Sequence, residues 1–277
     1  MKGTFKKVLA MALAMTMAAG VLTGCGGKDP VADTSASGET VTAGSEAAGT
    51  TGTADTFTYA IGGDPGANVN VITTSDRFGL MTVKMIYSPL CMYNADGINW
   101  FLATSVDTSD DNTEYTFHLR DGLKWSDGSD FTAADCVYSW KRLADPMTAA
   151  PYAADMLSMV KGYEEAAAGD IDALAVSAPD AKTLVVELAS PCVYFDKIIT
   201  HASMAPVKKD VVDANGDQWA MAPETYVSNG PLKMIEWVPG SHMTFAKNEN
   251  HWNADTVNLN SLKFVLMEAS NDDYSAY

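Results

Sequence analysis

A break in composition near Thr56 limits what this chain can fold into. From Gly26 to Asp55 the sequence is almost entirely Gly, Ala, Ser, Thr, Asp and Glu, and it holds no aromatic residue. Such a stretch cannot bury enough apolar surface to offset the entropy of ordering it, so residues 25–55 read as a disordered tether. Beyond the break, Phe57 and Tyr59 alternate with threonines in a strand-like pattern. About 220 residues then follow, enough for one large domain or two small ones. At the other end, Lys2, Lys6 and Lys7 precede an apolar run from Val8 to Leu22. The run is too short and too rich in alanine for a convincing membrane span, so residues 1–24 read as a signal segment removed on export.

The formal net charge is −17, and loss of the leader lysines makes the remainder more acidic still. A surface of that sign disfavours nucleic acid and anionic lipid headgroups, and mildly favours cationic ligands. Cys91, Cys136 and Cys192 form no CxxC pair. Cys136 lies within the apolar stretch Ala133 to Trp140 and reads as a buried free thiol. A disulfide between two of the three stays open for an exported protein. His118, His201, His242 and His251 are scattered, and neither HExxH nor GxSxG occurs. Carboxylates are plentiful, but nothing marks out two of them as facing one cleft. An enzyme is therefore not expected, and neither is a cofactor or a metal.

Local patterns place the elements. A helix is expected from Ser75 to Met85, capped by Ser75 or Asp76, with a turn at Asn94 to Gly97. Glu114 to Arg120 alternates as a strand, with Tyr115, Phe117 and Leu119 on one face. Thr132 and Asp135 form a capping box for a helix through Cys136, Val137, Trp140 and Leu143 that stops before Asp145-Pro146. A second helix is expected over Tyr152 to Ala168, ending at Gly169. A loop through Val176 and Asp180 leads to a strand over Thr183 to Leu188, and a short helix enters through Pro191 and runs to Ile199. Ala205-Pro206-Val207 is extended, and helix follows to about Ala214. Asn229-Gly230-Pro231 turns into a hairpin, Leu232 to Val238 and His242 to Lys247, followed by a strand over Leu262 to Met267. Asn271 to Tyr277 reads as the first turn of a further helix.

The most telling stretch is Tyr115-Thr116-Phe117-His118-Leu119-Arg120-Asp121-Gly122-Leu123-Lys124-Trp125-Ser126-Asp127-Gly128, followed by Phe131-Thr132-Ala133-Ala134-Asp135 and Tyr138-Ser139-Trp140-Lys141-Arg142. Leu143-Ala144-Asp145-Pro146, Pro151-Tyr152-Ala153, Ala189-Ser190-Pro191, Ala205-Pro206-Val207-Lys208, Ser228-Asn229-Gly230-Pro231-Leu232 and His251-Trp252-Asn253 follow in order. Together these motifs resemble the oligopeptide- and dipeptide-binding solute-binding proteins of bacterial ABC importers, from about Thr56 to the last residue. Likewise Leu22-Thr23-Gly24-Cys25 resembles a bacterial lipoprotein signal in which Cys25 is acylated. A plain secretory signal followed by an unrelated cysteine is the alternative.

The resemblance implies an α/β fold: a mixed-sheet lobe like that of the type II periplasmic binding proteins over residues 56–277, with an α+β subdomain inserted at about 91–190. Relatives continue for a further lobe that is missing from this chain, and that lobe holds the acidic group for the peptide α-amino end. Asp272 and Asp273 are not assigned that task by position alone. Implied partners are an oligopeptide ligand, an ABC permease with its ATPase, and a membrane reached through the lipid on Cys25; the expected state is a monomer outside the cytoplasm. A dipeptide, nickel chelate or haem is the alternative cargo, and a surface lipoprotein without transport the alternative role. Ligand contacts are expected from Thr74, Ser75, Asp76 and Arg77, from Tyr152, and from Asn229 and Gly230 beside the cleft. The bland readings are a helix cap with solvated charges, helix packing and a structural turn. Trp125 and Trp140 are expected in the core rather than on ligand.

Overall fold

The alternation of Tyr115, Phe117 and Leu119 produces a strand whose inner face is buried, while Thr116 and His118 point outward. This strand lies second in a four-stranded sheet that forms one of two sheet layers in the computed structural model, which describes residues 56–66 and 69–267. Cys25, the tether, the leader and Asn271 to Tyr277 lie outside the described residues.

In chain order the elements are β1 (Phe57–Ile61), α1 (Arg77–Ile86), β2 (Cys91–Asn94), β3 (Gly97–Trp100), β4 (Ala103–Thr108), β5 (Glu114–Leu119), α2 (Ala133–Ala144), α3 (Ala153–Leu157), α4 (Tyr163–Ala167), β6 (Val176–Asp180), β7 (Thr183–Glu187), α5 (Phe195–Ile198), α6 (Lys209–Asn215), β8 (Leu232–Val238), β9 (His242–Lys247) and β10 (Ser261–Leu266). The first sheet runs β1-β10-β9-β8, with β1 parallel to β10 and the other pairs antiparallel. The second runs β4-β5-β7-β6 and is antiparallel throughout. Strands β2 and β3 form a separate hairpin around the Asn94–Gly97 turn, where Gly97 takes a φ of 114° that disfavours a side chain. Strands of the first sheet come from outside residues 91–190 and those of the second from inside, yet the described residues fall within a single compact unit.

Helix α2 locks the second layer. The Thr132 N–H and hydroxyl both donate to the Asp135 carboxylate, at 2.7 and 3.2 Å. Trp140 is 1% exposed and donates from Nε1 to the Met204 carbonyl at 2.9 Å. Ser139 accepts from the Val207 N–H at 2.7 Å, so the extended Ala205-Pro206-Val207 segment is pinned along the helix. Trp125 is fully buried against Phe131, with ring centroids 5.1 Å apart. Both tryptophans are core residues, as the sequence implied.

Three expectations need correction. The helix over Tyr152 to Ala168 is broken into α3 and α4, because residues between them pair with β7 and its neighbours. Val160 bridges Leu188, and the Lys161 N–H donates to the Glu187 carbonyl at 2.9 Å. Gly162, at φ 79°, closes against the Ala173 carbonyl, leaving no room for a Cβ. Next, Val176 to Asp180 is a strand and not a loop; Pro179 is tolerated because β6 is at the sheet edge. Lastly, helix α5 begins at Phe195 rather than at Pro191. Cys192 before it is tied down outside any helix: its N–H donates to the Asn112 carbonyl and its own carbonyl accepts the Tyr115 hydroxyl. Cys91, Cys136 and Cys192 are all buried and unpaired. Burial pushes the Cys91 thiol up to about 12, so it stays protonated.

Candidate functional site

Helix α1 has two working faces. Gly79, Thr82, Val83 and Ile86 are buried against the body, while Arg77, Leu80, Met81 and Lys84 recur at helical spacing on the open side. The chain enters α1 through a turn set by Asn70, whose carbonyl accepts from the Thr73 and Thr74 N–H groups and whose side chain accepts from Ile72. Asp76 is the cap: its carboxylate accepts from the N–H groups of Phe78 and Gly79 at 2.9 and 2.7 Å. Thr74 donates to the same carboxylate at 3.0 Å. A Cβ on Gly79 would meet the Thr74 hydroxyl at 2.1 Å, so the cap requires glycine there.

Along the open face of α1 run three adjoining concavities that share Lys84. One of about 380 Å³ is lined by Ser75, Arg77, Leu80 and Met81. The next, about 420 Å³, adds Met92, Met156, Lys197 and His201. The third, about 260 Å³, is more apolar and reaches Val71, Tyr87 and Pro89. Together they form a groove with α1 as one wall and the segment from Lys197 to Ala202 as the other. Four methionines border it (Met81, Met85, Met92 and Met156), and their flexible thioethers suit a surface that meets varied side chains.

The charged side chains that line the groove are all cationic, while Asp155 and Asp196 stand close by without lining it. Lys197 sits 5.3 Å from the centre of the Tyr93 ring, and the Tyr93 hydroxyl donates to Asp196 at 2.5 Å. The Asp196 carboxylate pushes that phenol up to about 12. His201 is held below its ordinary value, first by burial and then by the charge of Lys84, with Asp155 opposing. It is neutral at pH 7 and accepts from the Ser203 N–H at 3.2 Å. Tyr152 packs against His201 with ring centroids 4.6 Å apart and the ring planes tilted by 57°.

Of the residues expected to meet ligand, Ser75 and Arg77 line the groove, and Tyr152 stands behind a lining residue. Thr74 is 6% exposed and, with Asp76, is engaged in capping α1. Asn229 and Gly230 line none of the three concavities. Asn229 is 2% exposed, and its amide bonds both main-chain groups of Ser88, at 3.0 and 3.3 Å. Gly230 presses on the end of α1, where a Cβ would lie 2.4 Å from the Ile86 carbonyl carbon. Lys84, Met92, Lys197 and His201 were not anticipated. For Lys84 a signal existed: Arg77, Leu80, Met81 and Lys84 repeat on a face opposite the apolar one. Among the described residues no group of His, Cys, Asp and Glu is placed to hold a metal, and no helix is long and apolar enough to cross a membrane.

Residues 98–276 match the family model described as the middle part of the bacterial extracellular solute-binding proteins, family 5. The chain is similar to the oligopeptide-binding protein OppA of Bacillus subtilis, 35% identical over 70% of this chain and 36% of that protein. It is also similar to the periplasmic oligopeptide-binding protein OppA of Salmonella typhimurium, 40% identical over 59% of this chain and 30% of that one. Among solved structures, Haemophilus influenzae OppA in complex with the peptide RPPGFSPFR superposes over 80% of this chain and 44% of its own length, with a TM-score of 0.75 and 31% identity. The chain thus spans about a third of the length of these curated relatives.

Proposed function

The chain belongs to the bacterial extracellular solute-binding proteins of family 5, and on that premise we propose that it captures oligopeptides in the groove along α1 for delivery to an ABC importer. Its fold is that of the type II periplasmic binding proteins, mixed α/β sheets included. The relatives that it matches are binding proteins, and the role proposed here involves no chemistry on the cargo. The observation that carries the reading is the open, methionine-bordered groove on a fold shared with a neighbour solved with a nonapeptide.

An extended peptide in such a groove offers main-chain groups to one wall and side chains to adaptable apolar surface, which gives affinity without strict selectivity. Of the contacts expected from the sequence, we propose Ser75 and Arg77, which line the groove, and Tyr152, which packs on the lining residue His201; Lys84, Met92, Lys197 and His201 join them. In this reading a second lobe closes over the ligand, and ligand shifts the open and closed populations only as far as it binds the closed form better. The closed form is then read by a permease and its ATPase. We further propose residues 91–190 as the inserted subdomain, and an acyl anchor at Cys25 that holds the molecule on the outer side of a membrane.

Calorimetry of the chain against a mixed oligopeptide pool tests the reading. The groove without a second lobe closed over it gives weak binding that saturates; sub-micromolar binding contradicts the need for that lobe, and no heat at millimolar peptide contradicts the groove. For the anchor, Cys25→Ala shifts the protein to the aqueous phase of a detergent partition; unchanged partitioning contradicts acylation.

A further inference from the structure

We propose that the groove along α1 selects peptides carrying acidic side chains, a specificity that rests on the peptide-capture reading above. The chain has 35 Asp and Glu against 18 Lys and Arg, so an average concavity on its surface should be acidic. This groove inverts that balance. Arg77, Lys84 and Lys197 line it, and no Asp or Glu lines any of its three concavities.

The three cations also lack the pairing found elsewhere. Six lysines outside the groove, such as Lys141 with Asp172 and Lys208 with Asp127, form ion pairs with carboxylates. Among the described residues Arg77, Lys84 and Lys197 form none. Other unpaired lysines, Lys233 and Lys263 among them, lie on strands of the first sheet. The carboxylates closest in sequence to the groove cations have other tasks: Asp76 caps α1 and Asp196 accepts the Tyr93 hydroxyl. Helix electrostatics do not explain the arrangement either. Lys84 in the last turn complements the macrodipole, but Arg77 in the first turn opposes it. A cation kept at an unfavourable helix end, facing a groove, is placed for a partner that arrives from outside.

The cations are spread along the groove, from Arg77 at one end through Lys84 to Lys197 on the opposite wall, so a peptide with several acidic residues meets more of them than a single carboxylate does. The methionines between them accept its apolar positions. The acidity of the whole chain suggested cationic ligands; the local inversion points the other way.

The test titrates the isotope-labelled chain with three hexapeptides of one backbone, bearing Glu, Gln or Lys at alternate positions, and follows amides of α1 and of Thr200 to Ala202. The Glu peptide should bind about tenfold tighter than the Gln peptide, as two or three exposed ion pairs allow, and the Lys peptide weakest. The preference should shrink as salt is raised. Lys84→Met with Lys197→Met should bring the Glu-to-Gln ratio close to one, while Lys233→Met on β8 leaves the ratio as it was. Equal binding of the Glu and Gln peptides, or tightest binding of the Lys peptide, overturns the acidic selection and leaves peptide capture standing. Groove amides that respond to none of the three overturn both.

Discussion

The joint at the end of α1 and the groove along its open face are built from the same helix by opposite rules. In the joint, Ser88, Asn229, Asn248 and His251 are buried, and their polar atoms are answered within the protein. Asn229 holds both main-chain groups of Ser88, Ser88 Oγ lies 3.2 Å from His251 Nε2, and Asn248 donates to the Gly230 carbonyl at 2.8 Å. The Ser126 N–H reaches the Ser228 carbonyl at 2.7 Å, which ties the Trp125-Ser126-Asp127-Gly128 turn into the same knot. In the groove Arg77, Lys84 and Lys197 are exposed and have no carboxylate partner among the described residues. The contrast shows that the joint is built from residues that make the sequence recognisable, whereas the groove is lined mostly by residues outside those motifs. A buried polar group left without its partner is costly, so joint residues are tightly constrained; an exposed lysine is not.

The comparison can be broken at its strongest point first. Gly230→Ala places a Cβ against the Ile86 backbone, which has no rotamer to yield, and should lower stability by about 3 kcal/mol. Urea unfolding reads this as a drop in midpoint, and an unchanged midpoint would show that the joint is slack. A smaller effect comes from pH. Burial pushes the His251 imidazole down to about 4, whereas the unfolded chain titrates near 6.5. Between those values the unfolded state binds the proton that the folded state refuses. Stability contributed by neutral His251 is therefore full above about pH 6.5 and is lost as pH falls toward 4. His251→Gln should flatten this part of the stability profile, and an equally steep profile in the variant would remove His251 as its cause. The smallest effect belongs to the groove: Lys84→Met should change stability by no more than about 0.5 kcal/mol, because the side chain is exposed and unpaired. A loss comparable to that of Gly230→Ala would mean that Lys84 belongs to the joint and not to the ligand surface.

Legibility followed the same division. Strand β5, the Thr132–Asp135 box and the β8–β9 hairpin were readable because each rests on local periodicity or on a turn whose residues lie side by side. The break between α3 and α4 was not, since it depends on Val160 and Lys161 meeting Leu188 and Glu187, contacts that no local pattern announces. Edge strand β6 was missed because Pro179 argues against a strand unless its position in the sheet is known. At the site, the Asp76 cap was legible, and Ser75 and Arg77 came with it. Met92, Lys197 and His201 were not, for they reach the groove from β2, from α5 and from the segment beyond α5, brought together by the tertiary fold alone. Asn229 shows what a turn motif leaves out. A polar residue in a turn reads as available to ligand, and only the fold reveals that Ser88 occupies its amide.

The account stands or falls on α1 being a peptide wall. A hexapeptide bearing a central benzophenone, irradiated with the chain and mapped by mass spectrometry, measures that directly. The account predicts adducts on Met81, Met85, Met92 or Met156, lost on competition with unlabelled peptide. Adducts confined to the exposed strands β1 and β8, or undiminished by competitor, would contradict it.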